Sequence, residues 1–228
     1  LCDLSVRALE QIIDYQDYPV RAAEVSTKKR RSLGIGYIGL AHYLAKNGVK
    51  YNEKGAWELV DRLSEAFQYH LLRASCDLAK EKGKCEGFER TKYADGLLPI
   101  DHYKKEIDEI VPHKQRMAWE SLRKDIAKYG LRHSTLSAQM PSESSSVVSN
   151  ETNGIEPPRA MLQIKKSKKG PLKQIAPGFP KLKNDYTLLW DMPSNQGYIN
   201  VVAMMQKYFD QAISGNWSYN PLQFENNE

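Results

Sequence analysis

Residues 136–159 read LSAQMPSESSSVVSNETNGIEPPR, and this stretch decides how the chain is interpreted. An extended run, residues 134–140, stops at Pro141, which opens a cluster of small hydroxyl residues and then an apolar pair, Val147 and Val148. The pair indicates that a short helix begins there. The first turn of such a helix offers backbone N–H groups without intrahelical acceptors, and serine hydroxyls beside them suit a phosphate group. Residues 153–159 (NGIEPPR) predict a rigid turn that leads back into an extended segment.

The serine cluster also has a purely structural interpretation. Serine is common at helix N-caps and in turns, so a serine-rich surface loop followed by an ordinary capped helix explains the same residues.

A family resemblance favours the phosphate interpretation. The pattern PSE-S-SS followed by S-N-x-T-NGIEPPR closely resembles the diphosphate-binding segment of the large (alpha) subunit of class I ribonucleotide reductases. The resemblance is collinear over nearly the whole chain. It extends to residues 9–22 (LEQIIDYQDYPVRA), 30–46 (RRSLGIGYIGLAHYLAK), 97–105 (LLPIDHYKK), 130–138 (GLRHSTLSA), 189–197 (LWDMPSNQG) and 205–214 (MQKYFDQAIS).

The resemblance implies a fold and a site. The fold class is α/β: residues 1–228 are expected to be one segment of the ten-stranded α/β barrel, with residues 1–133 mainly helical and residues 134–228 carrying barrel strands, the phosphate loop and helices. The substrate's diphosphate is expected to be bound by Ser142, Glu143, Ser144 and Ser145. The family commonly has Thr where this chain has Ser144, which keeps the hydroxyl. Glu143 is expected to contribute its backbone N–H, with its carboxylate turned aside.

The resemblance also implies an activity, namely the reduction of ribonucleoside diphosphates to deoxyribonucleoside diphosphates for DNA synthesis by thiyl-radical chemistry. The implied partners are the diphosphate substrate, the rest of the alpha chain, a second alpha subunit and a radical-generating beta subunit that contains metal. Thioredoxin or glutaredoxin would be the reductant, and ATP and deoxynucleoside triphosphates the effectors. No cofactor or metal is expected to bind to this segment itself.

The chain lacks groups that the family's reaction needs. It has no Asn-x-Cys-x-Glu string and no adjacent pair of tyrosines. We therefore expect an interior segment with no catalytic residue of its own, inactive alone. The alternative is a non-catalytic split or remnant fragment that acts as a structural or interaction module. A third hypothesis, a nucleic-acid-binding protein that uses the basic runs at residues 28–31 and 165–169, lacks any recognition motif.

Composition fits a soluble globular protein: 228 residues are 41% hydrophobic and 27% charged, with a net charge of +5. No apolar run approaches the roughly 20 residues that cross a bilayer, and no leader is evident. Three irregularly spaced cysteines, Cys2, Cys76 and Cys85, indicate a reducing cytoplasm rather than a disulfide framework. Cys76 is expected to be buried and Cys85 half-exposed.

Apolar periodicity and stop signals predict helices over residues 4–13, 32–46, 56–82, 102–110, 115–129, 185–192 and 198–214, with Gly83 as the C-cap of the longest. Extended runs at residues 134–140, 160–166 and 172–176 predict strands, the last two as a hairpin, and residues 215–220 another strand.

Residues 34–39 match G-x-G-x-x-G, but the preceding KKRRSL is no buried strand, so close helix packing explains these glycines better than a dinucleotide site. The histidines at positions 42, 70 and 133 are expected to be packing or surface residues.

Overall fold

The computed structural model describes residues 1–167 and 170–218. Its helices are α1 Cys2–Tyr15, α2 Arg21–Arg30, α3 Leu40–Lys46, α4 Lys54–Lys82, α5 Pro99–His102, α6 Trp119–Tyr129, α7 Glu143–Ser149 and α8 Gln196–Gln206. Short 3-10 helices cover Phe88–Arg90, Lys105–Glu109 and Leu189–Asp191. The strands are β1 Leu162–Ser167 and β2 Gly170–Ile175. None of these helices is long and apolar enough to cross a membrane.

The chain folds into two compact units. The first comprises Leu1–Gly36, Val60–Gln139 and Met204–Ile213, and the second comprises Tyr37–Leu59, Met140–Ala203 and the residues from Ser214 onward.

The first unit has a helical core. Leu71, Leu72 and Leu78 recur along α4 at helical spacing and are at most 1% exposed, and they belong to one apolar cluster with Trp119 and Leu122 of α6. The helix α4 ends where Gly83 takes a left-handed backbone (φ +82) and donates its N–H to Ala79 O at 2.9 Å, as the sequence predicts.

An extended layer crosses the same unit. Residues 33–36 run parallel to residues 135–138, with Ile35 N donating to Leu136 O at 2.8 Å and Ala138 N donating to Ile35 O at 3.0 Å. A Cβ on Gly36 would lie 2.4 Å from Ala138 O, so no larger residue fits this pairing. The glycine therefore permits close backbone approach, but in an extended segment and not in a helix.

The second unit contains the antiparallel hairpin β1–β2, whose register runs from Leu162↔Ile175 to Ser167↔Gly170. This confirms the predicted hairpin; residues 168–169 of its basic turn lie outside the described residues. Tyr51, 1% exposed, donates its hydroxyl to Ile155 O at 2.8 Å and so fixes the turn at residues 153–158. A Cβ on Gly197 would lie 2.7 Å from Tyr51 O, so no larger residue fits at this position.

Several predicted helices differ from the structure. The helix predicted over residues 32–46 begins only at Leu40, because residues 33–36 pair in an extended conformation with residues 135–138, and α2 at Arg21–Arg30 was not predicted. Residues 185–192 form only the 3-10 turn Leu189–Asp191.

Other helices are shorter than predicted. The helix predicted over 198–214 ends at Gln206, because Asp210 turns to accept hydrogen bonds from Leu136 N and Ser137 N at 2.9 Å each. The helix predicted over 102–110 is split into α5 and a 3-10 helix, and α6 starts at Trp119 rather than Gln115.

The structure is a mixture of helices and strands, as expected, but residues 1–167 and 170–218 form no closed barrel. They contain one two-stranded sheet and two isolated parallel bridges, Ile35↔Ser137 and Gln139↔Ile213. Residues 215–218 are not a strand, and residues 219–220 lie outside the described part. Cys85 is 3% exposed, so its predicted half-exposure was wrong.

Candidate functional site

The helix α7 begins at the serine cluster, as the sequence predicts. Ser142 is its N-cap residue but makes no side-chain capping bond. Ser142 is 8% exposed, and its buried Oγ has no hydrogen-bond partner among the described residues. The ordinary explanation for a serine at this position, that its hydroxyl caps the helix, therefore does not hold for Ser142.

The next three residues, Glu143, Ser144 and Ser145, form the exposed first turn of α7. Their backbone N–H groups precede the first intrahelical bond, in which Ser146 N donates to Ser142 O at 2.9 Å. Ser146 itself is buried and donates its hydroxyl to Glu143 O at 2.9 Å. The structure thus brings the four predicted residues together at one helix end and assigns Ser146 a structural role.

A cavity of about 430 Å³ lies in the same unit, and Glu143 is the only one of the four predicted residues that lines it. Its wall carries the carboxylates of Glu143, Glu151 and Glu156 and the guanidinium of Arg159. Among the side chains that the structure describes, three carboxylates and one cation line the cavity, so this part of the wall suits groups that donate hydrogen bonds. An anion is better placed at the N-terminal end of α7 than beside these carboxylates.

Two buried polar atoms on the cavity wall lack partners among the described residues, Thr152 Oγ1 and Asn153 Oδ1. Buried polar groups are nearly always hydrogen-bonded, so such atoms mark a place where a ligand or water completes the site. The sequence predicts Asn153 only as part of the turn at residues 153–159 and gives no separate role to Thr152.

The turn at residues 153–158 is held by side chains. Glu156 accepts from Asn216 Nδ2 at 2.5 Å and from Asn153 Nδ2 at 3.4 Å. Leu189 N donates to Pro158 O at 2.9 Å, which secures the end of the turn. The predicted rigid turn is confirmed, and the carboxylate of Glu156 is occupied by its hydrogen bonds to Asn216 and Asn153.

His42 joins this region through Glu151, a pairing that sequence analysis missed. The two carboxylate oxygens of Glu151 lie 2.9 and 3.0 Å from His42 Nδ1, and Tyr186 stacks on the imidazole at 6.4 Å between ring centroids. Gly39 has a left-handed backbone (φ +76) directly before α3, where a Cβ would lie 2.7 Å from the Glu151 carboxylate. Since 109 residues separate His42 and Glu151, no local pattern indicates the contact.

His133, in the first unit, has the composition of a catalytic triad but not its setting. Ser75 Oγ lies 2.9 Å from His133 Nδ1, and Glu10 Oε2 lies 3.0 Å from His133 Nε2. All three residues are 0% exposed, so no substrate reaches the hydroxyl. Burial lowers the pKa of His133, and this cluster is a buried structural network.

The three cysteines are unpaired, and burial raises the pKa of each thiol, that of Cys76 to about 11. They are therefore protonated and weakly nucleophilic at neutral pH. Among the described residues, no three His, Cys, Asp or Glu side chains come together as metal ligands.

Comparison with known proteins agrees with the resemblance seen in the sequence. The family model described as "Ribonucleotide reductase, barrel domain" matches residues 1–187. Similar relatives include the ribonucleoside-diphosphate reductase alpha subunits of Haemophilus influenzae, 57% identical over 97% of this chain, and of Escherichia coli K12, 52% identical over 93%. The corresponding subunit of phage T4 is 44% identical over 98% of this chain.

These matches cover 29%, 28% and 30% of the respective relatives, so the chain spans roughly three tenths of their length. The family match covers more than half of the chain. The chain therefore belongs to the ribonucleotide reductase barrel-domain family.

Proposed function

We propose that the complete protein reduces ribonucleoside diphosphates to deoxyribonucleoside diphosphates, and that this chain contributes the cradle for the substrate's diphosphate at Ser142, Glu143, Ser144 and Ser145. Relatives of 44–57% identity named as ribonucleoside-diphosphate reductase alpha subunits support the reaction class. They also disfavour a non-catalytic structural or interaction module.

The observation that carries the cradle is the unpartnered, buried Oγ of Ser142 beside the free N–H groups at the start of α7. A helix end with a positive partial charge and several unpaired donors favours a phosphate oxygen. The hydroxyls of Ser144 and Ser145 are exposed on the same turn and add donors to it.

Charge separates the two parts of the proposed site. The diphosphate would lie at the N-terminal end of α7, while the hydroxyl-bearing part of the substrate would extend toward the cavity, where the carboxylate of Glu143 accepts hydrogen bonds. The backbone N–H of Glu143 serves the anion, and its carboxylate belongs to the cavity wall.

The rest of the reaction is assigned to other parts of the assembly. The radical would come from a metal-containing beta subunit, the electrons from thioredoxin or glutaredoxin, and ATP and deoxynucleoside triphosphates would act as effectors. The complete alpha chain would form a homodimer in the cytoplasm. This chain's residues bind and orient the substrate and supply no radical or reducing cysteine.

The reaction class is tested by assaying the complete protein, with its radical-generating partner and a dithiol reductant, on ribonucleoside diphosphates and on the matching monophosphates. We expect deoxyribonucleoside diphosphate as product and a strong preference for the diphosphate. Equal turnover of monophosphates would remove the diphosphate cradle, and no reduction of any nucleotide would remove the reaction class.

A further inference from the structure

The first unit contains a second cavity, of about 630 Å³, remote in sequence from the serine cluster. Four cationic side chains line it, from Lys29, Arg30, Arg90 and Lys92, and among residues 1–167 and 170–218 Asp210 is the one acidic residue on its wall. A cavity of this size is within the usual range for small-molecule sites, roughly 300–1,000 Å³.

Backbone contacts bring these cations together. The end of α2 lies against the turn at residues 87–90, with Gly87 N donating to Lys29 O at 2.9 Å, and against the extended layer, with Ser134 N donating to Arg30 O at 3.0 Å. Gly87 permits the approach, because a Cβ there would lie 3.3 Å from Lys29 O. Arg30 therefore comes beside the loop that carries Arg90 and Lys92.

The positive charge of the cavity is not neutralised within the described residues. Lys29 pairs with Glu86 at 2.9 Å, but the side chains of Arg30, Arg90 and Lys92 have no ion-pair or hydrogen-bond partner in this part of the chain. The Asp210 carboxylate is already hydrogen-bonded to other groups. It accepts from Leu136 N, Ser137 N and the Tyr93 hydroxyl at 2.9 to 3.0 Å.

A structural explanation accounts for only part of this charge. Cations in the last turn of a helix complement its negative end, which explains Lys28, Lys29 and Arg30 at the end of α2. It accounts poorly for Arg90, which ends a 3-10 helix of only three residues, and does not explain Lys92 beyond it; both residues line the same cavity. The carbonyls of Lys29 and Arg30 already accept backbone N–H groups, from Gly87 and Ser134.

We propose that this cavity binds a small anion with several phosphate groups, held by Arg30, Arg90 and Lys92. Guanidinium groups bind phosphate oxygens in pairs, and an ammonium adds a point charge. Serine and threonine hydroxyls on the wall, from Ser26 and Thr135, supply further donors. A concave site of this size favours a small molecule over a nucleic-acid strand. The site is distinct from the serine cluster and does not depend on the proposed function.

The proposal is tested by chemical footprinting of the complete protein with inorganic tripolyphosphate as the probe. Phenylglyoxal labels arginine and an acylating reagent labels lysine, and peptide mass spectrometry reads each position separately. Tripolyphosphate should slow labelling of Arg30, Arg90 and Lys92 by about tenfold. Arg62, Lys114 and Lys124, which are exposed and lie outside the cavity, serve as controls in the same sample and should be unaffected.

A pair of triple variants provides the second measurement. Arg30→Gln, Arg90→Gln and Lys92→Gln together should weaken tripolyphosphate binding at this site by about tenfold or more, whereas Arg62→Gln, Lys114→Gln and Lys124→Gln together remove the same charge and should leave it unchanged. Equal effects of the two triples, or no protection of Arg30 and Arg90, would overturn the proposal. Protection by a short RNA or DNA but not by tripolyphosphate would overturn the small-molecule assignment.

Discussion

At the scale of single residues, the observation that best supports a ligand is the Ser142 hydroxyl. In a purely structural role this hydroxyl would form a hydrogen bond within the protein. Ser142 occupies the N-cap of α7, yet its buried Oγ bonds to nothing among the described residues. Ser146, only four residues later, is buried and fully engaged through its hydroxyl and backbone N–H. The contrast supports the prediction that Ser142 binds a ligand, whereas Ser146 has a structural role.

Charge at the start of α7 should therefore control diphosphate binding. Replacing Ser145 with Asp in the complete protein places a carboxylate beside the proposed phosphate, and like charges repel, so we expect KM for the diphosphate substrate to rise about tenfold or more. Steady-state kinetics measure this. Val148→Asp, at a position 89% exposed on the same helix, is the matched control and should leave KM nearly unchanged. An unchanged KM in Ser145→Asp would contradict the cradle.

A second residue-scale prediction concerns Glu10, which is fully buried and accepts from Arg31, Arg132 and His133. Burial alone would raise its pKa, but the hydrogen bonds from these three residues lower it to about 2. Glu10→Gln removes the carboxylate that Arg31 and Arg132 share, which leaves Asp14 as the only carboxylate paired with Arg31 among the described residues, and should lower the free energy of unfolding by about 3 kcal/mol. Urea denaturation measures this. Glu81→Gln, which breaks the exposed pair with Arg7, is the control and should have little effect.

The same cluster predicts the pH dependence of stability. Burial lowers the pKa of His133 below its ordinary 6.5, so the unfolded chain takes up a proton before the folded chain does, and stability falls as pH drops below about 6.5. The stability that Glu10 contributes is complete above its ordinary pKa of 4.5 and is lost as pH falls toward 2. Urea midpoints at pH 7.5 and 5.5 should differ less in His133→Gln than in the wild type; an equal difference would contradict the assignment to His133.

At the scale of elements, the sequence predicted those helices and turns that depend on residues only a few positions apart. The long helix α4, its Gly83 cap, the start of α7 and the β1–β2 hairpin all follow from spacing and turn residues within a few positions. The helix predicted over 32–46 starts late because residues 33–36 pair with an extended segment, residues 135–138, about one hundred positions away. Likewise, α8 ends early because Asp210 bonds to Leu136 and Ser137.

The extended layer makes a prediction of its own. Gly36→Ala would place a Cβ 2.4 Å from the backbone oxygen of Ala138, which cannot move without breaking its strand, so we expect a loss of about 2 kcal/mol in the free energy of unfolding. Gly55→Ala, near the start of α4, is the matched control: its Cβ would meet only the Val49 side chain, at 3.2 Å, and helix propensity favours alanine by about 0.5–1 kcal/mol. Thermal unfolding of both variants measures the difference, and an unaffected Gly36→Ala would contradict the close pairing.

The same limit applies to the candidate site, where contacts between residues that are distant in sequence could not be predicted. The helix start at the serine cluster could be predicted because its residues are consecutive, and their role in diphosphate binding stays a prediction from the family pattern. His42 and Glu151 could not, because their contact joins positions that no local periodicity relates. The cations of the 630 Å³ cavity come from α2 and from a loop after α4, and only the fold makes them neighbours.

At the scale of the whole molecule, the chain matches about three tenths of its relatives' length, and its sequence contains neither an Asn-x-Cys-x-Glu string nor adjacent tyrosines. We therefore expect the 228-residue chain alone to form no deoxyribonucleotide, even with a radical-generating partner and a dithiol present. Product analysis after incubation with ribonucleoside diphosphates checks this. Deoxyribonucleotide formation by the chain alone would mean that it carries catalytic groups that we have not identified.

The diphosphate cradle at the start of α7 is tested most directly by a structure of the complete protein with a ribonucleoside diphosphate bound. We predict that phosphate oxygens lie within hydrogen-bond distance of the backbone nitrogens at the start of α7 and of Ser142 Oγ, with the carboxylate of Glu143 turned toward the cavity. A diphosphate bound elsewhere, with the first turn of α7 untouched, would contradict the account.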